Sequence, residues 1–321
     1  MGGQATGGSR GFTRTSGGSC SARPNVSNLH CLHSINGSAS ARTIAPTRVC
    51  PGAIACIQHD VSDSESNGLP IATRGQSETP KKLPETNAIF ANIKAKDHGS
   101  NNATVKRLSI DCKATVRIGD YSRGGQTRGN HQAVDHDMGC EEKYIPCGIV
   151  DEDSGQLYIH FGSSYKTSDF IVDTLQDWWK GLTPPQQRQT ELLQLKVDNG
   201  PESSGVRTQF LKRMVEFSDR IGKSIQLLYY PPYHSKYNPI ERCWGILEQH
   251  WNGTQLKDIN MMLKWAQSMT WKGIHPIVKL NQQTYSKGIS LTKVDMRGIE
   301  KRLKRNPELP KWDILIQPVS G

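Results

Sequence analysis

Apolar positions recurring at strand and helix periods begin near residue 84, and from there they predict a run of alternating elements. Residues 106–110 and 114–118 read as two tightly joined strands, the second alternating Thr115, Val116, Arg117 and Ile118. Residues 144–150 and 156–161 read as another strand pair, with Asp153, Ser154 and Gly155 as the turn between them. Thr167 or Ser168 caps a helix through Phe170, Ile171, Leu175 and Trp178 that closes before Pro184. Residues 192–197 give a short apolar strand. Residues 205–221 follow as an amphipathic helix carrying Phe210, Met214, Phe217 and Ile221, and 225–230 as a strand stopped by Pro231 and Pro232. A last sheet-packing helix opens at Asn238 and places Ile240, Trp244, Leu247 and Trp251 on one stripe. Two more amphipathic helices are expected over 259–269 and 295–304. This order predicts an α/β domain built on a mixed sheet with helices on its faces.

The first eighty residues break the pattern. They hold no Lys and a single aromatic, Phe12, but 11 Gly and 12 Ser, too little apolar surface to offset the entropy of ordering. Two regions are therefore expected: 1–80, a Gly/Ser-rich tail that is disordered or of non-native, frameshifted origin, and 81–321, a folded domain. A transit peptide is a further reading of the tail, because five Arg precede its first acidic residue, Asp60. No stretch reaches 18 consecutive apolar residues, so no membrane-spanning helix is predicted. Lys and Arg number 40 against 30 Asp and Glu, and the net charge of +10 favours a polyanionic partner such as nucleic acid. The eight Cys show no CxxC spacing, which argues against structural zinc and for reduced intracellular thiols.

Three acids fall at the ends of these elements. Asp111 closes the first strand, Asp198 closes 192–197, and Glu241 opens the last sheet-packing helix. Carboxylates gathered at one sheet edge repel one another unless a cation neutralises them, so such a cluster predicts Mg²⁺ or Mn²⁺. Two such ions can activate a water or a 3′-hydroxyl and stabilise the leaving oxygen in attack on a phosphodiester. Each acid also has a plainer reading. Asp198, Asn199 and Gly200 suit a turn, Asn238 and Glu241 have capping-box spacing around Pro239, and Asp111 can be a solvated strand end beside Lys113.

The surrounding residues narrow the choice. The run Val197-Asp198-Asn199-Gly200-Pro201-Glu202-Ser203 and the longer run from Tyr229 through Tyr230-Pro231-Pro232-Tyr233-His234-Ser235-Lys236-Tyr237-Asn238-Pro239-Ile240-Glu241 to Gly245 resemble the second and third acidic blocks of DDE transposases. Among these the chain most resembles the ISAzo-thirteen family of bacterial insertion sequences, with a Rhodopirellula-type DDE domain. Ser109-Ile110-Asp111-Cys112-Lys113-Ala114 and residues 119–125 look like its first block. Residues 135–139, 208–213 and 250–253 add to the likeness, which runs from about Pro84 to Pro318. The resemblance implies an RNase H-like fold in which Asp111, Asp198 and Glu241 hold two divalent ions. It also implies cleavage at a transposon end, followed by transfer of the freed 3′-hydroxyl into target DNA. The partners it implies are transposon-end and target DNA, with a homo-oligomer on the DNA in a bacterial cytoplasm. Transposases of this kind carry an N-terminal helix-turn-helix region, and residues 1–80 show no such pattern. The expectation is a truncated enzyme; the alternative is an inactive remnant acting at most as a basic DNA-binding protein.

Around the acids, Lys113, Arg117, Arg123 and Arg128 are candidate phosphate contacts, with a solvated basic loop as the plainer reading. His234, Lys236 and Arg242 flank Glu241 and are candidates for the same role. Glu202 is either an accessory carboxylate or an acid favoured at a helix entry. Arg297, Lys301, Arg302, Lys304 and Arg305 are spaced for one helix face. Trp244, Trp251, Trp265 and Trp271 read as core.

Overall fold

The computed structural model describes residues 83–97, 103–126, 133 and 140–319. All of them fall in one compact unit, 73–321. The chain enters through α1 (Thr86–Lys96), runs along β1 (Val105–Cys112), makes the short β2 (Val116–Arg117), and returns through β3 (Lys143–Asp151) and β4 (Leu157–Gly162). Next come α2 (Ser168–Lys180), α3 (Pro184–Gln189), β5 (Leu192–Asp198), α4 (Thr208–Ile221) and β6 (Ser224–Tyr230). The remainder is α5 (Pro239–His250), α6 (Ile259–Ser268), β7 (Ile277–Asn281), α7 (Lys293–Glu300), β8 (Leu303–Arg305) and β9 (Asp313–Ile316).

Among the described residues the strands form one sheet in the order β7-β4-β3-β1-β5-β6-β9-β8, with β2 beside β3. Strands β4, β3 and β1 are antiparallel neighbours, and β5 and β6 then add in parallel. This antiparallel trio continued by parallel strands, with helices on both faces, is an RNase H-like fold. The pleat explains how one strand serves both faces. On one face, Leu108 and Ile110 of β1 and Leu193, Leu195 and Val197 of β5 pack in a cluster with Phe170 and Leu175 of α2 and Phe210 and Phe217 of α4. The second cluster joins Leu157, Ile159 and Phe161 of β4 to Ile240, Trp244, Leu247 and Trp251 of α5 and to Met262 of α6. Trp244 and Trp251 are thus core residues, with Trp265 and Trp271 packed at the edge of the same cluster.

Several expectations are corrected. Residues 114–118 yield only β2, and it pairs with β3 rather than β1, because Lys113 N–H already bonds the Pro146 carbonyl and carries the chain along β3. The helix expected over 205–221 starts at Thr208, after a turn closed by Arg207 N–H on the Ser204 carbonyl. The helix expected over 295–304 is α7, which stops at Glu300. Arg302 is gripped by both carboxylate oxygens of Asp219 at 2.6 and 3.1 Å, and Leu303 is buried in the strand beside β9. Of the basic run 297–305, only Arg297 is helical. No helix among the described residues is long and apolar enough to cross a membrane.

Candidate active site

Asp111 and Asp198 stand at the same end of two adjacent parallel strands. Ile110 pairs with Val197, which sets the two acids side by side one position further on. Glu241 comes from the first turn of α5, which packs across β1 and β3. One carboxylate oxygen from each of the three lies within 4.8 Å of the others, and all three residues are half-buried.

Gly148 lets α5 come this close. It pairs with Asp111 across the β1–β3 ladder, and a Cβ there would lie 2.6 Å from the Trp244 ring and 2.8 Å from Ile240. Without that side chain the helix settles onto the sheet, and Trp244 Nε1 donates to Asp111 Oδ2 at 3.2 Å. Asn238 is the N-cap of α5, yet its side chain makes no capping bond, so the capping-box reading of Asn238 and Glu241 fails. The fully buried amide donates instead to Asp198 Oδ1 at 3.1 Å and to the Ile110 carbonyl at 3.4 Å. Its Oδ1 has no hydrogen-bond partner among the described residues. Asp111 and Asp198 are each held through one oxygen, leaving the other available.

The electrostatics carry the cost of this arrangement. Burial pushes Asp198 up to about 6, the charge of Asp111 adds to the rise, and the Asn238 bond opposes it. Glu241 is raised as well, first by burial and then by Asp111. Lys166, just before α2, shares a small pocket with Asp111 and Asp198, and its Nζ donates to the Cys112 carbonyl at 3.4 Å. Burial opposes its charge, but Cys112, Asp111, Cys147 and Asp198 outweigh burial and raise its pKa. The Cys112 thiol is itself pushed well up by its hydrogen bond with Cys147 and by burial, so it is neutral at pH 7. An all-oxygen donor set of three crowded carboxylates, two of them resisting ionisation, is the chemistry of a hard divalent cation site.

The other sequence candidates disperse. Lys113 is paired with Glu248 at 2.9 Å. Arg117 lies over the Tyr121 ring. Arg123 turns inward, donating to the Arg117 carbonyl at 2.7 Å and lying over Trp251, and burial lowers its pKa. Arg128 lies outside the described residues. His234 packs against Phe90 and Tyr237, Lys236 sits over the Tyr237 ring, and Arg242 is exposed on α5 beside Glu241. Glu202 lies 3.7 Å from Arg207, and its backbone carbonyl accepts from Ser168. Sequence reasoning missed Lys166 and the clamping role of Asn238. Only the position of Asn238 beside Pro239 hinted at the latter, and it pointed to a cap.

A family described as Rhodopirellula transposase DDE domain matches residues 65–318. The match begins 19 positions before Pro84, inside the segment whose composition reads as a tail. No curated protein matches the chain. Among solved structures, the chain is similar to the Mos1 transposase paired-end complex with left transposon end, at 12% identity over 60% of this chain and 57% of that one, TM-score 0.40. It is also similar to the Mos1 strand transfer complex, at 12% identity over 60% and 56%, TM-score 0.39. The chain thus spans less than three fifths of these solved chains.

Proposed function

The chain belongs to the Rhodopirellula transposase DDE domain family, and on that premise we propose that Asp111, Asp198 and Glu241 are its catalytic carboxylates, holding Mg²⁺ or Mn²⁺ to cut DNA at a transposon end and join it to a target. The observation that carries this reading is the convergence of three acids, 87 and 43 residues apart in sequence, on oxygens within 4.8 Å. A pair of divalent ions bound there would supply an activated water or 3′-hydroxyl and a counter-charge at the leaving oxygen. The residues of the chain do the rest. Asn238 fixes the rotamer of Asp198 and Trp244 that of Asp111, so that both acids are oriented before any ligand arrives. Lys166 places a cation beside the two aspartates, where a scissile phosphate bears its negative oxygens.

The test is nicking of supercoiled plasmid by the full chain in Mn²⁺, with Asp198→Asn and Glu241→Gln alongside. The expected result is cleavage by wild type and a loss of at least a hundredfold in both variants. Equal nicking by all three would overturn the assignment. A labelled 3′-hydroxyl oligonucleotide then reads joining directly, and cleavage without joining would make the protein a nuclease instead.

A further inference from the structure

Beside the acid cluster, a cavity of about 590 Å³ opens between the start of β3, the residues around β2 and the loop from β4 to α2. Its wall carries Arg117, Lys143, Lys166 and Lys287 together with Ser164 and Tyr165, and no carboxylate. Lys166 belongs both to this wall and to the pocket holding Asp111 and Asp198, so the groove leads into the acids. Several other cations of the domain are matched with acids. Lys113 has Glu248, Lys196 has Glu152, and Arg213 has Asp169 and Asp173. Lys143, Lys166 and Lys287 make no ion pair among the described residues. Lys287 rests 3.8 Å from the centre of the half-exposed Tyr165 ring, which holds its ammonium at the rim without neutralising it. The three lysine charges facing one cavity repel one another, and a ligand bearing several regularly spaced negative charges relieves that repulsion.

We propose that this groove binds the phosphates of one DNA strand and leads it to the acid cluster, with Lys143 and Lys287 as phosphate contacts and Lys166 at the junction with the cleavage point. This rests on the reading of the site as DNA-processing and adds the path the strand takes. The four cations come from four separate segments, at positions 117, 143, 166 and 287, so only the folded chain assembles the track.

The test is equilibrium binding of a fluorescein-labelled DNA duplex to the full chain in EDTA, over 50 to 200 mM salt, for wild type and the double variant Lys143→Gln/Lys287→Gln. A second double variant, Lys180→Gln/Lys212→Gln, removes the same charge from α2 and α4 outside the groove. If each groove lysine meets one phosphate, the slope of log K against log salt becomes shallower by about 1.4–1.8 in the groove variant, so its deficit against wild type narrows by roughly tenfold across the range. The control variant is expected to keep the wild-type slope. Equal losses in both variants would mean a diffuse positive field and overturn the groove. Wild-type binding that the groove variant retains in full would overturn it too, while leaving the catalytic reading intact. A wild type that binds no DNA at low salt would overturn both.

Discussion

In β1 and β5 the two faces of the central sheet divide apolar packing from charge. Toward α2 and α4, β1 and β5 present Leu108, Ile110, Leu193, Leu195 and Val197, all nearly or fully buried in an apolar cluster. Their alternate residues toward the other face are Ser109 and Asp111, and Gln194, Lys196 and Asp198. There Lys196, 4% exposed, bridges Glu152 at 2.7 Å and Asp97 at 2.9 Å, and Ser109 donates to Glu152. One pair of strands therefore packs oil on one side and wires charge on the other. The lesson is that the acids at the strand ends do not project from an apolar scaffold; they are the last, solvent-reaching row of a polar layer that runs back along the sheet.

The largest expected effect comes from breaking that layer. Lys196→Met takes the cation from the largely buried Glu152 and one of two basic partners from Asp97, which keeps Arg107, and should cost about 3–5 kcal/mol by urea unfolding at pH 7. A substitution as harmless as one on an exposed helix face would show that the layer is not wired as described.

The next effect sharpens the contrast by removing charge where it is costly. With Asp198 raised to about 6, against about 3.9 for an unfolded Asp, the folded chain binds the extra proton between those values. Stability from this group therefore falls as pH rises through that window, and the cost is complete above pH 6. In EDTA, Asp198→Asn should be more stable than wild type at pH 7 by about 1–2 kcal/mol, after discounting for partial exposure, and the gap should close by pH 4. Saturating Mn²⁺ should stabilise wild type and not the variant. Parallel pH profiles would contradict the crowding of the acids.

The smallest effect concerns backbone rather than charge. Tyr233, between β6 and α5, holds a left-handed φ of 64° and is 77% exposed, so the fold accepts strain for a ring that packs against little. Tyr233→Gly should relieve about 1 kcal/mol and raise Tm by roughly 2–4 °C, read by calorimetry. A fall in Tm would mean the ring contributes more than its conformation costs.

Much of the domain was legible because its central strands are short apolar runs bounded by turn residues, and five of them fall within about two residues of their expected limits. The periphery was not. Strand β7 is half-exposed at the sheet edge, and residues 303–305 read as a charged helix until Asp219 claims Arg302. The convergence of the three acids at one sheet edge was legible from the motifs around them, whereas Asn238 was misjudged because sequence shows cap spacing but not the carboxylate 40 positions upstream that takes its amide. Lys143, Lys166 and Lys287 are isolated lysines in unremarkable segments, and nothing short of the tertiary fold brings them to one wall.

The pairing of β9 onto β6 has a consequence in time. β6 carries the sheet beyond the strand of Asp198, and its outer edge is covered by β9, which begins at Asp313, 83 positions after β6 ends at Tyr230. At translation rates of about 5–20 residues per second, that edge waits on the order of ten seconds for its partner. Until then a nascent chain carries an open strand of Ile225, Leu227 and Tyr229, a template on which a second ribosome's product can pair in place of β9.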